Sequence, residues 1–196
     1  MPIGICYTLV VKILLVQPPI EDYYNTSVRT YPLALLYLGA AVRESADVEL
    51  LDLRTNKKPR PIPNGSFPDL KRYYRDDVYT PLSFFKRYYR FGADTTEIKN
   101  AVEAKRPDLV AISSLFTTYS MEALDVARCC KEVSADITTV IGGIHPTLFP
   151  EHALNSPYVD YVIRGEGETP FSRLITALKS GKGTGIDHIK DIGGVC

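Results

Sequence analysis

Hydrophobic and polar positions along the chain switch repeatedly between two rhythms. Val10 to Val16 is a near-continuous aliphatic run, as in a strand covered on both faces. It stops at Gln17-Pro18-Pro19, because proline gives no N–H to a ladder. Pro32 then opens a helix expected over 33–44, proline being tolerated in a first helical turn. Val48 to Leu53 predicts a second strand. Ile98, Ala101, Val102 and Lys105 recur at helical spacing and stop before Pro107. Three more strands are expected at 109–113, 138–141 and 159–163. Between the third and fourth, Ser120 to Val133 predicts a helix with a polar stripe at Glu122, Asp125, Arg128 and Glu132. Phe171, Leu174, Ile175 and Leu178 mark the apolar face of a last helix, with Pro170 in its first turn.

Five strands joined by helical crossovers imply an α/β fold, an open parallel sheet with helices on both faces. Right-handed crossovers lead to the flavodoxin-like, Rossmann-like strand order 2-1-3-4-5. The stretch 54–94 breaks the rhythm, being far longer than the ~2–6 residues usual between a strand and its helix. It is rich in proline, tyrosine and basic residues, as in Pro59-Arg60-Pro61-Ile62-Pro63, Arg72-Tyr73-Tyr74-Arg75 and Arg87-Tyr88-Tyr89-Arg90. Such clusters either stack on bases or form cation–π contacts, or they belong to short helices packed on the domain edge. The expected organisation is an N-terminal extension over 1–10, one domain over 11–180, and a glycine-rich linker over 181–196 leading to a further domain.

Composition narrows the picture. The 196 residues carry 23 basic and 23 acidic side chains, a formal net charge of zero, so no basic field exists to attract nucleic acid. No apolar run reaches the ~20 residues that span a bilayer, and the first residues lack the basic start and small-residue cleavage site of an export signal. The four cysteines, Cys6, Cys129, Cys130 and Cys196, fit no metal spacing; reduced thiols in a cytoplasm are the expectation.

In such sheets ligands bind beyond the carboxyl ends of the strands. The loops there are Gln17-Pro18-Pro19 and onward, Ser113-Ser114-Leu115-Phe116-Thr117-Thr118, Gly142-Gly143-Ile144-His145-Pro146, and Arg164-Gly165-Glu166-Gly167-Glu168. Glycines permit close approach of a flat ligand to backbone, although each also suits a tight turn. The hydroxyls lie near a helix start, a placement suited to amides and phosphate. Glu166 and Glu168 before a helix favour its dipole. A dinucleotide fingerprint and a P-loop are both absent, and no acidic pair or phospho-accepting Asp stands where a receiver domain needs them. His145, His152 and His188 are scattered and compose no catalytic constellation.

Taken together, Gln-Pro-Pro after the first strand, the helix Tyr-Pro-Leu-Ala-Leu-Leu-Tyr-Leu-Gly-Ala, Arg-Pro-Asp-Leu-Val-Ala-Ile-Ser-Ser, Ile-Gly-Gly-Ile-His-Pro-Thr and Val-Ile-Arg-Gly-Glu-Gly-Glu resemble the N-terminal cobalamin-binding domain of cobalamin-dependent radical S-adenosylmethionine enzymes. The resemblance runs from about Val11 to Leu178. It implies a corrin ring on the carboxyl edge with its nucleotide tail descending beside the strands. Ser113, Ser114, Leu115 and Thr117 would line the tail channel. Gly142, Gly143 and His145 would lie by the corrin edge, with Gly165, Glu166 and Gly167 nearby, and the loop from Gln17, Pro18 and Pro19 below the ring. The Asp-x-His-x-x-Gly motif that supplies a histidine to cobalt in some cobalamin domains is missing, which implies cobalamin held without one and a cobalt readier to lose a methyl group. A Cys-x-x-x-Cys-x-x-Cys triplet is also missing. The resemblance therefore puts S-adenosylmethionine and the four-iron, four-sulfur cluster in a further C-terminal domain, of methyltransferase or cyclase type. The alternatives are a flavodoxin-like interaction domain and a nucleotide- or sugar-binding domain.

Overall fold

The computed structural model describes residues 11–23, 31–55, 58–62, 88–179 and 191–196. The expected extension over 1–10, most of the 54–94 excursion and His188 lie outside them.

The first aliphatic run forms β1 (Lys12–Gln17), followed by the short β2 (Ile20–Asp22). After Pro32 comes α1 (Leu33–Val42), then β3 (Asp47–Asp52). The excursion contributes β4 (Arg60–Pro61) and β5 (Tyr89–Phe91). The remaining elements are α2 (Thr95–Lys105), β6 (Leu109–Ser113), α3 (Ser120–Val133), β7 (Thr138–Gly142), α4 (Ile144–Leu148), α5 (Pro150–Leu154), β8 (Tyr161–Ile163) and α6 (Glu168–Lys179). A single 3-10 turn over Thr117–Tyr119 precedes α3.

Five parallel strands lie in the order β3-β1-β6-β7-β8, which is the expected second-first-third-fourth-fifth arrangement. Alternation along β1 sends Ile13 and Leu15 into the core shared with α1 and α6, and Leu14 and Val16 into the core shared with α2 and α3. All four are at most 2% exposed, which is why the run contains no polar position after Lys12. Helix α2 begins at a capping box, in which Asp94 accepts from Glu97 N and Glu97 accepts from Asp94 N. It ends at Arg106 in the left-handed region (φ 47°) just before Pro107.

Several expectations need correction. The described parts of the excursion include two short strands, β5 pairing antiparallel with β2 and with β4, while the stretch 63–87 on which short helices were expected lies outside the described residues. Arg60 explains the docking of β4, since its guanidinium reaches Asp94 (2.8 Å) and Glu97 (2.7 Å) at the start of α2. The segment after the fourth strand, read as a loop as far as Glu151 with a short helix beginning at His152, folds into α4 and α5. The stretch 181–196 does not end as a linker. Ile192 and Val195 are buried against the α6 core, and Val195 bridges Ile163 antiparallel. Glu122 is not part of an exposed stripe. It is 6% exposed because the small antiparallel sheet lies over the start of α3, where its carboxylate accepts the Glu21 amide (2.9 Å). Among the described residues no helix is long and apolar enough to cross a membrane.

Candidate functional site

The carboxyl ends of β6 and β7 run in register, Ala111 opposite Val140 and Ser113 opposite Gly142. The two-residue period of a strand puts these four on one face, toward α1 and α6. Three of them carry a small side chain or none, so the helices above cannot close the space. A cavity of about 120 Å³ remains, walled by Ala34, Leu35 and Leu38 of α1, by Ile163, and by Phe171 of α6. Its mouth lies among Ser113, Gly142, Gly143, Gly165, Glu166 and Gly167. Complete ligand pockets occupy ~300–1,000 Å³, so this cavity suits an inserted part of a ligand whose remainder lies on the rim. The rim beside it is apolar, with Leu115, Phe116, Ile144, Leu148 and Phe149 all exposed.

The two neighbouring glycines have different jobs. A Cβ on Gly142 would meet nothing closer than 3.7 Å, and it would point into the cavity. Gly143 has φ 124°, and a Cβ there would sit 2.5 Å from the Ser114 carbonyl oxygen. Its glycine is therefore demanded by the protein's own backbone, a correction to the expectation that both glycines form a bare shelf for a ligand. That close approach is fastened by Ser114 N donating to Gly142 O (2.7 Å) and His145 N donating to Ser114 O (3.2 Å). Thr147, which the sequence did not single out, ties the two last loops together. Its hydroxyl donates to Gly143 O (2.7 Å) and accepts from Gly165 N (2.9 Å). Gly165 itself has φ 72° with open space around it.

The other expected site residues lie away from the cavity. Gln17, Pro18 and Pro19 are buried at the end of β1. The Gln17 carbonyl accepts Leu53 N (3.0 Å), and the Pro18 carbonyl accepts Arg54 Nε (2.7 Å). Leu115 is exposed on the rim. Ser114 is 3% exposed, and its Oγ has no hydrogen-bond partner among the described residues. Thr117 and His145 meet each other: His145 Nδ1 lies 3.3 Å from Thr117 Oγ1, and its Nε2 lies 3.0 Å from Nδ1 of His152. The histidines at 145 and 152 are thus a contacting pair rather than scattered. Burial, and then the His152 charge, hold the His145 imidazole below its ordinary value.

A polar cluster fills the opposite flank, where β2 and β5 meet α3. Arg90 pairs with Glu21 (2.7 Å), the Tyr88 hydroxyl donates to the Glu21 carbonyl (3.0 Å), and the Tyr119 hydroxyl donates to Asp22. Burial pushes the Glu122 carboxyl above its ordinary value. Among the described residues no group of three His, Cys, Asp or Glu side chains is placed to hold a metal ion.

The residues that sequence reasoning missed are the cavity walls in α1 and α6. The available signal was that none of the ten residues of α1 is charged and only Tyr37 carries a polar atom; such helices are apolar all round and need cover on more than one side.

Strand order and cavity together define a doubly wound α/β domain with a cavity at the carboxyl edge of its sheet, where ligands bind in such folds. Residues 85–175 match the family model described as B12 binding domain, and the chain carries a B12-binding domain. It is 33% identical over 177 residues to an uncharacterized methyltransferase of Pyrococcus horikoshii, covering 88% of this chain and 30% of that protein. It is 28% identical over 162 residues to cytidylyl-2-hydroxyethylphosphonate methyltransferase of Streptomyces wedmorensis, covering 82% of this chain and 27% of that protein. The chain therefore spans less than a third of the length of these curated relatives. In fold it is similar to OxsB, a cobalamin-dependent S-adenosylmethionine radical enzyme solved with aqua-cobalamin bound, with a TM-score of 0.61 at 18% identity, covering 96% of this chain and 21% of that one. The residues present fit a group such as cobalamin in shape: Gly142 puts no side chain into the cavity, and the exposed surface beside it is apolar.

Proposed function

We propose that this domain holds cobalamin for a methyltransferase of the cobalamin-dependent S-adenosylmethionine radical kind, working with a C-terminal radical domain of the same polypeptide. The observation that carries the reading is the cavity left by Ala111, Ser113 and Gly142 between α1 and α6. Bound cobalamin supplies a cobalt centre that carries a methyl group from donor to acceptor. The residues of this chain bind and orient it. Ser113 and Gly142 admit the tail, Gly165, Glu166 and Gly167 border its entrance, and Leu115 and Ile144 offer apolar surface to the ring. His145 is engaged with Thr117 and His152, so its imidazole would serve the rim of the site and not the cobalt. Free thiols at Cys129, Cys130 and Cys196 fit a reducing cytoplasm.

Mixing the purified chain with hydroxocobalamin, desalting and recording the visible spectrum tests this. Retained corrinoid absorbance is expected. Gly142→Leu should fold, because the introduced side chain enters empty space, and should lose the absorbance. A folded wild-type chain that retains none would end the proposal.

A further inference from the structure

The cavity is chemically one-sided along its depth. Ser113 is the single hydroxyl on its wall, and it stands at the mouth together with Glu166 and Glu168. Deeper toward the amino ends of the strands the wall is Leu35, Leu38, Ala111, Val140 and Phe171, with no side-chain donor or acceptor. The main chain offers none either, since Ala111 and Val140 face each other inside a paired ladder. Leu35, Ala111, Val140 and Phe171 are at most 3% exposed, so water cannot substitute at that depth without losing its own partners.

We infer that this cavity selects the lower base of the corrinoid it takes, accepting benzimidazoles and discriminating against purines; the inference rests on the cobalamin reading above. A benzimidazole presents only C–H and methyl groups along its outer edge. A purine presents ring nitrogens and an exocyclic amine or carbonyl. Each of those polar atoms gives up water on entry and meets only carbon here, and an unpartnered buried polar group weakens binding roughly 10- to 100-fold. The selection acts through the walls of α1 and α6, not through the rim that meets the corrin, so it is separable from ring binding.

The test titrates the full chain with three corrinoids, followed by visible absorbance after equilibrium dialysis: the dimethylbenzimidazole form, the adenine form, and cobinamide, which lacks a lower base. The dimethylbenzimidazole form should bind at least about tenfold more tightly than either of the others. Leu38→Gln, at a half-buried helix position, and Val140→Thr, close to isosteric, each place a hydrogen-bonding group in the cavity. In whichever of them folds, the gap between the benzimidazole and adenine forms should narrow. Equal affinity for those two forms, cobinamide binding as tightly as cobalamin, or an undiminished gap in the folded variants would each overturn the selection while leaving cobalamin binding intact. Failure of all three corrinoids to bind would instead overturn the functional reading itself, and the selection with it.

Discussion

The two flanks of the sheet's carboxyl rim start from the same central strands and finish in opposite conditions. On the α1–α6 flank, small residues at alternate strand positions leave a cavity that is apolar in its depth and polar at its mouth. On the α3 flank, the space above the strand ends is occupied by the protein's own polar side chains. Glu122 accepts the Glu21 amide, Arg90 pairs with Glu21, and Tyr119 donates to Asp22. The doubly wound fold makes a crevice available at the strand ends, but side-chain size at two or three alternate positions decides which side of it stays open. The closed flank has a cost: it buries a carboxyl group, whereas the open one buries none.

The hinge between the flanks is the approach of Gly143 to Ser114, and breaking it should give the largest effect. Gly143→Ala combines a positive φ of 124° with a Cβ 2.5 Å from a carbonyl oxygen. Strain and overpacking together should destabilise the fold by about 3 kcal/mol. Urea unfolding of the variant checks this. A loss below about 1 kcal/mol would show that the β7–α4 turn can re-form without the glycine conformation.

The open flank and the closed one were unequally legible in the sequence. Strand order could be read because the central strands are aliphatic runs bounded by Gln17-Pro18, Gly142-Gly143 and Arg164-Gly165, and handedness leaves few topologies. The mouth of the cavity could be read too, since Ser113, Gly142 and Gly165 to Gly167 sit at strand ends. Its walls could not: Leu35, Leu38 and Phe171 look like ordinary core residues when the missing volume opposite them is unknown. The closed flank was hidden for another reason. Helical periodicity sees only a residue's own helix, so Glu122 grouped with Asp125 and Arg128, and nothing local announces that Ile20 pairs with Phe91. The pair formed by His145 and His152 escaped notice because it spans two short helices separated at Phe149.

Glu122 sharpens the comparison through pH. Its folded-state carboxyl is raised, first by burial, so the folded chain holds its proton where the unfolded chain has lost it. Stability should therefore fall as pH rises from the ordinary value of 4.5 toward the folded one, and level off beyond it. Glu122→Gln keeps an acceptor for the Glu21 amide and should flatten this slope. Glu122→Ala leaves that amide unpaired and should cost about 2 kcal/mol at low pH. Denaturant midpoints across pH separate the two variants, and an unchanged slope in Glu122→Gln would mean that the carboxyl is not the titrating group.

The smallest expected effect lies at His145, on the boundary between the flanks, and its sign is opposite. Burial and His152 depress its folded-state value, so the unfolded chain accepts a proton that the folded chain refuses. Stability is complete above the ordinary value of 6.5 and should decline as pH falls from there toward the folded value. His145→Gln removes the titration and keeps a hydrogen-bonding group toward Thr117 or His152, so it should cost about 1 kcal/mol near neutral pH. The difference from wild type should shrink between about pH 7.5 and about pH 5.5, the range an ordinary imidazole crosses. A gap that instead widens on acidification would mean that the imidazolium is welcomed between Thr117 and His152. The pair would then be a proton-holding site on the rim rather than a neutral brace between the 3-10 turn and α5.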